Sequence, residues 1–242
     1  MFRFFLSLVL VFQGMAFAAP REEIVNVRAE YLFVPVGFDD NDEVVAVLDG
    51  YLPDPCHKLV PADVKTDIAN MTVSVQQKAR LFTGVCPDVI VPYTVVVRLG
   101  NLPEGNFTVV TNGGSLKENV AVKQSANPGP DDYLYAPIDA ARVEYLPGGK
   151  RKAVLEGRFT DSCLRIDELK VVNSEKTIEV LPILKRLTQE EGGGKCRRVE
   201  SPFKVAVDLP ELSQKYWRYL LHVRSLNGQS LNVVFHRTAP NR

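Results

Sequence analysis

Four cysteines and three histidines are the residues of this 242-residue chain best suited to chemistry. Cys56, Cys86, Cys163 and Cys196 lie 30 or more residues apart in pairs, with no C-x-x-C and no clustered histidine. That spacing disfavours a metal site or a redox couple and favours structural disulfides, provided the chain is exported. A catalytic histidine needs a partner that the spacing can supply. His57 sits beside a cysteine, His222 alternates with Leu221 and Val223 and is expected on a solvent face, and His236 lies near the C-terminus. No G-x-S-x-G, H-E-x-x-H or glycine-rich phosphate loop is present. No catalytic residue, metal ligand or cofactor is therefore expected, and the chain is not expected to be an enzyme.

Charged runs offer two further sites. Asp39-Asp-Asn-Asp-Glu43 groups hard oxygen ligands that suit Ca²⁺. It lacks the glycine and distant glutamate of an EF-hand loop, and it falls where a hairpin turn calls for Asp and Asn anyway. Residues 19–130 carry 9 bases and 14 acids, whereas 131–242 carry 19 bases and 15 acids. Lys150, Arg151, Lys152, Lys185, Arg186, Lys195, Arg197 and Arg198 could bind a polyanion such as an envelope polysaccharide. The alternative is a diverged solvated surface with some attraction between the two halves, and charge runs are usually solvated faces.

The elements that would hold these residues begin behind a leader. Arg3 precedes an apolar run from Phe4 to Phe12, and Ala16-Phe17-Ala18 supplies the small-x-small pattern of a signal cleavage site, so 1–18 reads as a secretory signal. The run is too short for a transmembrane helix, which needs roughly 20 apolar residues, so no membrane anchor is expected in the mature chain. Beyond it, bases and acids nearly balance, which argues against bulk nucleic-acid or membrane-surface binding.

The rest of the chain repeats. Tyr31-Leu-Phe-Val-Pro-Val36 recurs as Tyr133-Leu-Tyr-Ala-Pro-Ile138, Val47-Leu-Asp-Gly50 as Val154-Leu-Glu-Gly157, and Pro53-Asp-Pro-Cys56 as Thr160-Asp-Ser-Cys163. Cys86 and Cys196 are each followed six residues later by a proline that opens an alternating strand. A period near 105 residues is domain-sized, so this is a tandem duplication. Copy one spans 26–124, the Pro- and Gly-rich stretch 125–130 is a linker, and copy two spans 131–238. Of three possible connectivities, the repeat favours Cys56–Cys86 and Cys163–Cys196.

Alternation with period two dominates. Copy one offers about seven strands at Tyr31–Val36, Val44–Gly50, His57–Val64, Met71–Gln76, Tyr93–Leu99, Phe107–Thr111 and Leu116–Lys123, separated by turn residues. Asn112-Gly113 signals a tight turn with positive φ at both positions. In copy two, Thr177–Leu187 could pass for a short helix, but alignment with Met71–Gln76 makes Thr177–Leu181 a strand and leaves Gly192-Gly-Gly194 as an exposed loop. The fold class is all-β, a pair of tandem sandwiches.

The stretch Val97-Arg-Leu-Gly-Asn-Leu-Pro-Glu-Gly-Asn-Phe-Thr-Val-Val-Thr-Asn-Gly113 resembles the end of strand E, the corner and strand F of fibronectin type III and immunoglobulin-like domains. It departs at the corner, where Phe107 replaces the usual tyrosine; copy two places Tyr219 there. With Gly50–Cys56 and Cys86, the chain also resembles β-sandwich domains of secreted bacterial proteins without an assigned function. The resemblance implies a fold and a periplasmic or secreted location, and no reaction. It also discounts Asn70-Met-Thr72 and Asn106-Phe-Thr108 as glycosylation sites. The expected function is a non-catalytic binding or structural module for an unknown protein or glycan of the cell envelope. The alternative is a periplasmic chaperone or inhibitor that acts through an exposed edge strand.

Overall fold

The computed structural model describes residues 22–129, 131–192 and 194–239. The expected signal segment, 1–18, lies outside them, as do Pro130 of the expected linker and Gly193 of the glycine loop. The first half runs β1 (Glu22–Asn26), β2 (Ala29–Phe33), β3 (Phe38–Asp39), β4 (Val44–Leu52), β5 (His57–Asp67), β6 (Thr72–Phe82), β7 (Val91–Gly100), β8 (Gly105–Thr111) and β9 (Leu116–Lys123). The second runs β10 (Ile138–Tyr145), β11 (Arg151–Phe159), β12 (Leu164–Ser174), β13 (Thr177–Arg186), β14 (Ser201–Asp208), β15 (Arg218–Ser225) and β16 (Gln229–His236). All seven strands expected in the first copy are present. β1 and β3 were not expected, because the first is mostly exposed and the second is two residues long. Thr177–Leu181 lies in β13, as a strand. That strand tolerates Pro182 because its pairing with β15 has ended at Val180, so the missing N–H falls beyond that ladder.

The pairings repeat with the sequence. β2-β4-β7 and β10-β11-β14 are three-stranded antiparallel sheets. The facing sheets contain β5-β6-β8-β9 and β12-β13-β15-β16, each paired antiparallel, then parallel, then antiparallel. In the first half β1 and β3 extend the larger sheet to six strands. Each named ladder lies within 22–123 or within 138–236. The architecture is all-β, built from discrete sheets that pack as sandwiches. The pairs β6–β8 and β13–β15 are parallel, whereas immunoglobulin and fibronectin III sandwiches pack antiparallel sheet on antiparallel sheet. Here the strand after β4 goes to the sheet edge and the next returns inside it, which reverses the direction of the interior neighbour of β8.

Two repeat residues have clear packing roles. Register equates Phe107 with Tyr219, since Val109 stands beside Val73 and Leu221 beside Ile178. Both rings are buried core residues. The Tyr219 hydroxyl donates back to the Ser213 carbonyl at 2.6 Å, which is the tyrosine-corner contact that Phe107 cannot make. The paired glycines let one strand lean on its neighbour: a Cβ on Gly157 would lie 2.1 Å from the Pro137 carbonyl oxygen, and one on Gly50 would lie 3.1 Å from that of Arg28. The turn between the paired residues Thr111 and Leu116 is four residues long rather than two, and Asn112 and Gly113 in it have positive φ, 53° and 67°. The Asn112 amide also bonds the N–H and the C=O of Ala29, tying the turn to β2.

The halves meet through sheets that are not equivalent. β4 sends Ala46 and Leu48 into its own core and turns Val47, Asp49 and Tyr51 the other way. β15 sends Tyr219, Leu221 and Val223 into its own core and turns Arg218, Leu220, His222 and Arg224 toward the first half. The three-stranded sheet of the first half thus packs on the four-stranded sheet of the second. Both central strands are buried on both faces.

Candidate functional site

The seam between the halves concentrates the buried polar groups. At its centre Phe33, Val47 and Leu220 form an apolar plug, with Tyr31 and Val234 packed against it. On one side Arg218 bonds Asp49 and, at 2.6 Å, the Tyr51 hydroxyl, and it lies over the Tyr31 ring. Thr94 donates to Asp49 at 2.7 Å. On the other side Arg224 forks onto Asp42 at 2.6 and 3.3 Å and donates to the Gly37 carbonyl at 3.1 Å. Arg224 and Asp42 are 5 % and 2 % exposed, so each charge depends on the other for compensation. Burial lowers the Arg224 pKa, but the Asp42 hydrogen bond and charge outweigh that and hold it above its ordinary value.

Beside this pair lies a cleft of about 520 Å³, whose lining includes Phe38, Asp39, Tyr133, Lys170, Glu179 and Arg224. Glu179 is 2 % exposed, and its Oε1 has no hydrogen-bond partner. Burial pushes its carboxyl up to about 7, against the pull of Arg224. His222 is 1 % exposed rather than on a solvent face. The expectation failed because the face opposite Leu221 and Val223 is covered by the first half, with Phe38 edge-on at 6.2 Å. Its Nδ1 lies 2.8 Å from Asn232 Oδ1, and burial lowers its pKa to about 4.

These two groups oppose each other in pH dependence. Glu179 is raised from 4.5, so its contribution to stability is full below about 4.5 and is lost as pH rises through 7. His222 is lowered from 6.5, so its contribution is full above 6.5 and is lost as pH falls toward 4. Between those limits the slopes offset. Glu179→Gln should therefore make stability rise with pH between 4.5 and 6.5, and His222→Gln should make it fall, each by up to about 1.4 kcal/mol per pH unit. Denaturant midpoints across that range check this, and two parallel flat profiles would refute it.

The acidic run 39–43 is part of the seam and linker. Asp42 holds Arg224, Asp40 accepts the Ser125 N–H at 2.9 Å, and the Asn41 amide donates to the carbonyls of Asn127 and Gly129. Asp39 is raised by burial and by Asp42. The turn loses its best oxygens to N–H donors, which weakens the Ca²⁺ reading.

Both disulfides form as the repeat favours, Cys56–Cys86 and Cys163–Cys196, with Cα separations of 5.9 and 5.4 Å. In each half an aspartate two residues ahead of the first cysteine accepts that cysteine's N–H at 2.8 Å, Asp54 in one and Asp161 in the other. Asp54 and Asp161 bring a carboxylate near both sulfurs of each bridge, but the S–S bond leaves no thiolate for a metal. His57 Nδ1 bonds Asp54, and the hydrogen bond holds Asp54 low. His236 stacks on Trp217 at 6.0 Å.

The eight basic residues do not converge. Lys150, Arg151 and Lys152 stand at the start of β11; Arg151 bonds the Arg237 carbonyl and Lys152 pairs with Asp208 at 3.6 Å. Lys185, Arg186, Lys195, Arg197 and Arg198 gather toward the other end, around Cys163–Cys196. Within that group Lys185 faces Glu191 and Arg186 holds Asp161 at 2.6 Å, which leaves Lys195, Arg197 and Arg198 as exposed cations on the disulfide loop.

Sequence reasoning missed the seam. Its signals were the unbroken apolar run Val44–Leu48, as expected of a strand covered on both faces, and the acid excess of one half against the base excess of the other. No helix among the described residues is long and apolar enough to cross a membrane. No curated protein and no solved structure matches the chain. Residues 46–122, about a third of the chain and the stretch from β4 to β9, match the family model described as the ORF11 beta-sandwich domain.

Proposed function

We propose that the chain is an exported, non-catalytic binding or structural module of the cell envelope, acting on a protein or glycan partner. The observation that carries this reading is the seam: an apolar plug flanked by two ion pairs joins the two sandwiches and leaves loops and strand edges outside. The buried charged groups Asp42, Asp49 and Arg224 are engaged in holding the halves together. The histidines at 57, 222 and 236 are separately occupied by Asp54, Asn232 and Trp217, and no described nucleophile joins them in a catalytic arrangement.

Export and an oxidising location, periplasmic or extracellular, are supported by the leader pattern of 1–18 and by two disulfides. We read the halves as relatives of immunoglobulin and fibronectin III domains in architecture and corner contact, with a different strand order. Affinity capture from an envelope extract tests the reading. The tagged chain should retain a defined protein or glycan that survives washing and is competed by untagged chain. Capture of nothing above a control sandwich protein would overturn it, as would turnover of ester, peptide or glycoside substrates.

A further inference from the structure

Glu179 lines the cleft beside the Arg224–Asp42 pair without the partner that a buried carboxyl needs. It projects from β13 between Ile178 and Val180, which belong to the core of the second sandwich. The chain of the first half passes close to it at Gly37, whose φ is +81°, and a Cβ there would lie 3.2 Å from Glu179 Oε2. The Val36 N–H steadies the same carboxyl. Oε1 is buried and meets no hydrogen-bond donor among the described residues. Arg224 lines the same cleft, but its Nη donors go to Asp42 and the Gly37 carbonyl. An ionised acceptor left this way carries its full desolvation cost, and burial accordingly pushes the Glu179 carboxyl up to about 7.

The surroundings decide which donor fits. The cleft holds about 520 Å³, within the range of small-ligand sites, and it lies where two domains meet, as such sites often do. Val36, Phe38, Tyr135, Val172 and Leu181 give it apolar walls. Its charges are sorted by depth. Asp42 and Glu179 are buried together with Arg224, so the inner set holds two carboxyls against one guanidinium. Asp39, partly buried, adds a third carboxyl. Lys123, Lys170 and Asp132 are exposed at the rim, where Lys170 leans over the Tyr133 ring at 5.8 Å. One more cation at depth brings the inner charges toward balance, whereas an anion adds to the excess. A neutral hydroxyl supplies a hydrogen bond but no charge.

We propose that the seam cleft binds a primary alkylammonium group, whose ammonium donates to Glu179 Oε1 and whose aliphatic stem lies against the apolar walls. The inference rests on the binding-module reading and gives that module a ligand chemistry. A charged N–H donor makes a shorter and stronger bond to a carboxylate than a neutral donor does. An ammonium carries three donors, so one serves Oε1 and the others stay hydrated toward the cleft mouth. Two sources present this group on an aliphatic stem: the lysine side chain of a partner protein and a free aliphatic amine.

The test titrates n-butylammonium into the purified chain by calorimetry at neutral pH, up to about 20 mM, far enough to saturate a millimolar site. Saturable binding to a single site is expected. Butyltrimethylammonium keeps the charge and the stem but has no N–H, and it should bind at least about tenfold more weakly, as should n-butanol, which has no charge. Glu179→Gln keeps the shape and removes the charge, and should weaken n-butylammonium at least about tenfold. Asp63→Asn, at a carboxyl paired with Lys78 outside the cleft, should leave binding unchanged. Absence of saturable binding, or indifference to trimethylation or to Glu179→Gln, would overturn the amine site while leaving envelope capture to decide the binding-module reading. Nα-acetyl-lysine amide separates the two sources. Its binding with the same dependence on Glu179 assigns a partner's lysine, and its exclusion beside bound n-butylammonium assigns a free amine.

Discussion

Arg224→Ala should destabilise the protein by about 3–5 kcal/mol, because it strands Asp42 as an uncompensated charge between two sandwiches. Asp42 is 2 % exposed and takes two of the Arg224 donors. Removing the guanidinium also leaves the Gly37 carbonyl without that donor. The size of the loss comes from leaving one partner alone, not from the net worth of the pair. Arg224→Met combined with Asp42→Leu should therefore recover most of the stability lost by the single change. Chemical denaturation of the two variants beside the parent decides the matter. A single variant within about 1 kcal/mol of the parent would mean that water reaches Asp42 and screens it.

The second large effect concerns the bridges. Replacing both Cys163 and Cys196 by serine opens a loop with a sequence separation of 33, and the Cys56–Cys86 counterpart opens one of 30. Chain entropy assigns each roughly 3–4 kcal/mol, a large share of the about 5–15 kcal/mol that separates folded from unfolded domains. The seam adds a finer expectation. With two buried ion pairs and the Phe33–Val47–Leu220 plug across it, loss of either bridge should lower one shared unfolding transition. Two separated transitions, with only the half that lost its bridge shifted, would show that the halves unfold independently.

Much of the architecture could be read from the residues. Alternation located seven strands of the first half, the repeat carried them into the second, and the matched cysteines paired as the repeat suggested. The repeat also resolved the ambiguous stretch at Thr177, where local pattern alone allowed a helix. Strand direction could not be read this way, because alternation reports which face is buried and says nothing about parallel or antiparallel neighbours. The parallel partners of β8 and β15 were therefore invisible. The seam was missed for a related reason. His222 points away from its own core, and alternation cannot tell a face turned to water from a face turned to another sheet. The charge runs hid their partners in the same way: the Asp42 carboxylate closes on Arg224, and the cations grouped by sequence lie at two ends of the second sandwich, on different sheets and a loop.

The way the halves join also bears on why there are two of them. Because the front of one unit meets the back of the next, the contact is not self-complementary, and nothing in such a rule of assembly stops it from continuing into a fibre. The outermost surfaces carry the brakes. Register places Asn106, Thr108 and Asn112 where the seam has Arg218, Leu220 and Arg224. On the opposite surface the repeat sets Glu156 and Arg158 where the seam has Asp49 and Tyr51, within a mesh of Arg142, Lys204 and Asp139. At one end Thr108 takes the place of Leu220, and at the other Glu156 and Arg158 bring charge beside Val154, which keeps the place of Val47. A further unit docking on either outward surface by the same contact would meet Thr108 in place of Leu220, or Glu156 and Arg158 in place of Asp49 and Tyr51.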